Sequence, residues 1–225
     1  MPRIKTLEEP FFLVLHMDGS HLVYTNHSPP SHKVFPEDGV NSVGAYDNTI
    51  RVTDEYLGRV FEALRARDPD AWMFFTSDHG QPLGEGGAFF NHGYQANVVR
   101  DPLFVFPPAT ATEAQRAAIR DASVAPVSAC DITPTIVHLM GATPSRDAPM
   151  DCANWFAPNI LGSSRVRVVS AFTPTGVREP TMLLLLPDGR RALYEVEQGT
   201  VTLNDGVALP MSALALPPEV AARLQ

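Results

Sequence analysis

Residues 71–93 read AWMFFTSDHGQPLGEGGAFFNHG: a short apolar run, an acid and a histidine side by side, then a glycine-rich segment leading to a second histidine. An apolar run of this length, closed by turn residues, predicts a strand over 71–77 that is buried on both faces. Asp78 and His79 then stand at its C-terminal end, with Gly80 letting the backbone turn beside them. Working backward, FFLVLHM (11–17) follows Pro10 and has the same character, so it predicts a second buried strand. Between the two, Tyr46, Ile50, Thr53, Leu57, Val60, Phe61 and Leu64 recur at helical spacing and predict an amphipathic helix that stops near Asp68-Pro69. Strand, helix, strand at these lengths implies parallel strands joined by a right-handed crossover. The C-terminal ends of such strands share one edge of the sheet, where α/β proteins build their sites. His16 and Asp78 fall at those two ends, and the loops carrying His21 and His92 are expected to open onto the same edge.

The segment 18–44 is rich in Pro, Gly, Ser, Asn and His and predicts a long functional or disordered loop. Downstream, DPLFVFPP (101–108) predicts a short strand and ATEAQRAAIRDAS (111–123) a surface helix. CDITPTIVHLMG (130–141) predicts a helix capped by Asp131, with Pro134 tolerated in its first turn and Gly141 at its end. After residue 165 the chain alternates apolar and polar residues around Asp-Gly turns, as antiparallel hairpins do. The expected architecture is therefore α/β: a mostly parallel sheet flanked by helices over 1–164, and a small antiparallel, strand-rich subdomain over 165–225.

The bulk numbers narrow the functions. A chain of 225 residues with 44% hydrophobic content can bury a good-sized core. A net charge of −8 and no long basic run argue against a nucleic-acid partner, which needs a basic face to displace counterions. No stretch approaches the ~20 apolar residues of a membrane span, and the N-terminus lacks the apolar core of a signal peptide, so the chain alone carries no export address. Cys130 and Cys152 either form one disulfide or remain two buried thiols; the sequence leaves the choice open and does not decide the compartment.

An Asp-His pair on a strand end suits a metal, since carboxylate and imidazole are typical ligands of zinc and similar divalent ions. His92, 14 residues beyond Asp78, either returns to that site or merely lies on the loop. His16 ends the first strand and His21 lies on the loop after it; the bland alternative for His16 is a hydrogen-bonded core histidine. His27 and His32, in the proline-rich loop, are expected to be solvated, and His138, inside a helix, to be structural. No G-x-S-x-G elbow or phosphate-binding P-loop occurs. ATPSR (142–146) has Ala142 where a C/S-x-P-x-R signature carries its reactive residue, and reads as a plain turn.

Four blocks in order, FFLVLHMDGSH, YDNTIRVTDEYLGRVFEAL, FTSDHGQPLGEGGAFFNHG and CDITPTIVHLMG, resemble the alkaline phosphatase/sulfatase superfamily, and most closely its bacterial phosphoethanolamine transferases. The resemblance runs from about residue 8 to 162. It implies that Asp78 and His79 are zinc ligands, that His21 and His92 hold the phosphoryl group or a second metal, and that His16 supports that cluster. It further implies a phospholipid donor and an acceptor such as lipid A or lipopolysaccharide. Full-length relatives work at the periplasmic face of the inner membrane, which they reach through an N-terminal part that has no counterpart here. The family's threonine nucleophile and its acidic zinc ligand lie upstream of the strand placed at 11–17, and nothing in the ten residues before it matches them. Gln81 also stands where a glutamate usually follows the Asp-His-Gly, and the loop to His92 is one residue longer. The expected activity is metal-dependent transfer of a phosphoethanolamine-type head group, with little turnover by this chain alone. A sulfatase- or phosphodiesterase-type hydrolase and a non-catalytic, fold-retaining binding protein are the alternatives.

Overall fold

The computed structural model describes residues 4–85, 93–125, 127–143, 152–157, 166–172, 178–186, 188–203 and 206–214. It contains two compact units. One comprises residues 1–74, 83–88 and 105–111, the other 75–82, 89–104 and 112–225.

The first unit is organised by helix α1, Val43–Arg67. Ser42 caps it by accepting the Ala45 backbone N–H at 3.3 Å, satisfying one of the orphan donors of the first turn. The helix stops at Asp68, because the residue before a proline is pushed out of helical geometry. Val60, Ala63 and Leu64 on its inner face pack with Ile4 and Met73 into a small core, joined by Phe11, Phe61 and Phe106. The last turn of α1 also holds its surroundings through polar contacts. Arg65 donates to the carbonyls of Ala71, Phe106 and Pro107, and Arg67 donates to that of Leu7.

The 18–44 segment is an ordered loop built on two 3-10 turns, Tyr24–Asn26 and Pro30–His32. Asn48, fully buried on α1, pins it. Its Oδ1 accepts the N–H groups of Val34 and Phe35 at 2.9 and 3.0 Å, and its Nδ2 donates to the Phe35 carbonyl and to Glu37 at 3.0 and 3.1 Å. Thr49 extends the attachment by donating to Ser20 Oγ at 2.6 Å.

One expectation fails here. Residues 11–17 form no strand, and Phe12, Leu13, Val14 and Leu15 are exposed. A run buried on both faces needs neighbours to take its backbone N–H and C=O groups. Among the described residues the only strands in this part of the chain are β1 (Met73–Thr76) and β2 (Leu103–Phe106), which pair with each other. The predicted strand-helix-strand unit with its parallel strands is therefore not formed. The strand pairs of the other sheet are all antiparallel.

In the second unit, α2 (Ala96–Val99) is a single turn before β2. Helix α3 (Glu113–Val124) opens on a capping box in which Thr112 and Gln115 exchange hydrogen bonds. Helix α4, Ile132–Leu139, follows a 3-10 turn and ends before Gly141, whose φ of +69° suits the left-handed position past a helix end. Asp131 at its start is fully buried and accepts the N–H groups of Ser128 and Ala153, both at 2.9 Å. The same junction carries a Cys130–Cys152 disulfide with Cα atoms 5.7 Å apart, settling the choice the sequence left open.

The C-terminal meander comprises β3 (Arg167–Phe172), β4 (Arg178–Leu185), β5 (Arg191–Glu195), β6 (Thr200–Leu203) and β7 (Ala208–Pro210), paired in sequence order. Cross-strand partners Met182↔Tyr194, Leu184↔Ala192 and Tyr194↔Val201 bring Met182, Leu184, Ala192, Tyr194 and Val201 together in one cluster. Tyr94 is tied to the same sheet: its hydroxyl donates to the Thr181 carbonyl, and the Arg191 guanidinium donates to the Tyr94 carbonyl. No helix among the described residues is long and apolar enough to cross a membrane.

Asn48→Ala is expected to cost about 1–3 kcal/mol, the usual penalty for stranding backbone groups that a side chain had satisfied. The measurement is urea denaturation with amide hydrogen exchange at Val34 and Phe35, where protection should fall selectively.

Candidate metal site at the end of strand β1

Strand β1 ends at Thr76, and the chain turns through Ser77, Asp78, His79 and Gly80. The turn is held against the segment that leads into β2. The Gly80 N–H donates to the Val98 carbonyl at 2.8 Å. A Cβ on Gly80 would overlap the Asn97 carbonyl oxygen and lie 3.4 Å from that of Arg100. No side chain fits, so residue 80 must be glycine for the two stretches to approach this closely. Phe75 and Phe104 stack 5.9 Å apart between the two strands.

This turn aims the acid and the imidazole. Asp78 Oδ1 accepts the His79 N–H at 3.1 Å, which fixes the carboxylate over its own backbone. His79 Nδ1 lies 2.7 Å from the Gly80 carbonyl. A carbonyl only accepts, so Nδ1 carries the proton and Nε2 presents a lone pair. Metal-binding histidines are commonly oriented by such a carbonyl on the other ring nitrogen. His79 Nε2 and Asp78 Oδ2 are 3.8 Å apart, a separation that a single divalent ion with bonds of about 2.0–2.2 Å can span. Asp78 is 88% exposed and His79 37%, so the pair is accessible.

The donor set fits zinc or a similar ion in kind, but it supplies only two ligands. Among the described residues no group of three His, Cys, Asp or Glu side chains is arranged to hold a metal. His16 and His21 lie on the other unit. Both are exposed, and His21 Nδ1 is 2.6 Å from the Leu22 carbonyl. His92 falls within 86–92, outside the described residues. His32 is half-buried rather than solvated, with Nε2 2.7 Å from Glu55 and Nδ1 3.0 Å from Ser31. His138 stacks on Phe156.

Sequence reasoning passed over one neighbour. Asp101, at the start of the β2 segment, lies in electrostatic reach of both His79 and Asp78. Burial pushes its carboxyl upward; His79 opposes that and Asp78 adds to it. The only signal in the sequence was an acid directly before a proline at a strand start, which reads as ordinary punctuation.

Comparison with known proteins adds the following. Residues 3–142 match the family model described as Sulfatase. The phosphoethanolamine transferase EptA of Helicobacter pylori is 32% identical over 110 residues, covering 44% of this chain and 21% of that protein. The Kdo(2)-lipid A phosphoethanolamine 7''-transferase of Salmonella typhimurium is 30% identical over 109 residues, covering 44% and 19%. The choline-sulfatase of Rhizobium meliloti is 30% identical over 128 residues, covering 56% and 23%. Each match thus spans about a fifth of the relative's length.

Gly80→Ala is expected to destabilise the fold by about 1–3 kcal/mol, the usual cost of inserting a methyl where backbone atoms already touch. Denaturation midpoints and the amide resonances of residues 97–100 check this; unchanged values at both would mean the approach is looser than described.

Proposed function

Because the chain belongs to the sulfatase family, we propose that Asp78 and His79 are part of a metal-assisted site for transfer of a phosphoryl-type group. The group is a phosphoethanolamine-like head group, taken from a phospholipid and passed to a lipid or glycan of the cell envelope. The observation that carries this reading is the convergence of Asp78 Oδ2 and His79 Nε2, with Nδ1 held by the Gly80 carbonyl. These two side chains would hold a divalent metal, zinc in the first instance, which when bound supplies Lewis acidity toward an esterified oxyanion. Within the chain, Asp78 contributes the negative charge that retains such an ion, and the fixed tautomer of His79 keeps a lone pair directed at it. His21 and His92 would bind the transferring group's oxygens or protonate the leaving oxygen, with His16 in support. The disulfide at 130–152 suits an oxidising compartment such as the periplasm.

The second reading is hydrolysis of a sulfate ester. It is favoured by the longer reach of the choline-sulfatase match, 128 residues against 110.

Elemental analysis after dialysis tests the metal reading on the wild type and on Asp78→Ala/His79→Ala. Near-stoichiometric zinc that the double variant loses supports it, and equal metal content in the two proteins overturns it. Calorimetric titration of the zinc-loaded protein with O-phosphoethanolamine and with choline sulfate separates the two substrates, the transferase reading expecting tighter binding of the phosphate compound.

A further inference from the structure

Asp101 is half-buried, and its Oδ1 is buried with no hydrogen-bond partner. A carboxylate oxygen in that position is costly, because it has given up water without gaining a donor. Its position follows from the backbone. Gly80 packs on the carbonyls of Asn97 and Arg100 and bonds that of Val98, so the chain reaches Asp101 directly after the stretch that touches the Asp-His turn. Asp78 and His79 are the charged neighbours that act on its carboxyl. On the other side of the turn, Ser77 Oγ is likewise buried without a partner. The Asp101 carboxyl therefore brings a second acid into electrostatic reach of the Asp78–His79 pair.

We propose that Asp101 is a positioning residue of this metal site, its carboxylate supplying charge beside the Asp78–His79 pair so that the pair retains a divalent ion. The proposal rests on the reading that Asp78 and His79 hold such an ion. Asp101 acts through its neighbours rather than as a ligand, consistent with the absence of a three-ligand group among the described residues. Removing a neighbouring group of this kind typically lowers metal affinity by about 10- to 100-fold.

The test is calorimetric titration of the metal-free protein with zinc, and visible absorption after cobalt loading, on wild type, Asp101→Asn, Asp101→Glu and Asp78→Asn. Asp101→Asn should weaken zinc binding by about 10- to 100-fold and shift the cobalt band, while Asp101→Glu restores most of the affinity. The metal-free Asp101→Asn protein should melt no lower than wild type, since it loses an unpartnered buried charge; Asp101→Ser provides a second neutral replacement if the amide fails to fold. Wild-type affinity and an unshifted band in a folded neutral variant, with binding lost in Asp78→Asn, overturn the role of Asp101 alone. No metal binding by the wild type overturns the underlying site and this proposal together.

Discussion

The close approach of Gly80 to the carbonyls of residues 97–100 is the constraint on which the candidate site depends. A side chain there would push the strand-end turn away from the segment entering β2. Without that contact, Asp78 and His79 would hang on a flexible loop, and Asp101 would have no reason to lie near them. With it, one turn of backbone sets three separate features. It fixes the imidazole tautomer through the Gly80 carbonyl, places the Asp78 carboxylate 3.8 Å from Nε2, and brings a second acid, Asp101, into electrostatic reach. Under the proposed reading, such preorganisation would spare the pair the cost of ordering its ligands when an ion binds.

Much of the fold was legible because its signals are local. The apolar spacing from Tyr46 to Leu64 and the Asp68-Pro69 stop marked α1, and the structure runs it over Val43–Arg67. The segments 111–123 and 130–141 read as helices and form α3 and α4, although the Asp131 side chain, expected to cap α4, instead accepts the N–H groups of Ser128 and Ala153. The alternating C-terminal segments formed the meander they predicted. The failure at 11–17 has a non-local cause. Apolar character shows that a run prefers burial, but a strand also needs partners for its backbone, and the run itself does not specify them. The exposure of Phe12 to Leu15 is the same fact seen from the solvent side.

The site was legible in kind and illegible in arrangement. An acid and a histidine followed by glycine at a strand end could be read from the sequence, and the structure places Asp78 Oδ2 3.8 Å from His79 Nε2. The tautomer of His79, the packing of Gly80 and the placement of Asp101 come from contacts with residues 97–101, about twenty positions along the chain. No spacing rule connects those two stretches. The histidines expected to join the pair came from topology, and the topology drawn from 11–17 was the part that failed. The disulfide was invisible for a related reason, since pairing depends on Cα separation rather than on sequence.

The central claim is that Asp78 and His79 together ligate a divalent ion, and X-ray absorption at the zinc edge of the dialysed protein tests it most directly. The account predicts a nitrogen and oxygen shell at about 2.0–2.1 Å, with an imidazole contribution that diminishes in His79→Ala. A sulfur shell at about 2.3 Å, or an imidazole contribution unchanged in that variant, would contradict it.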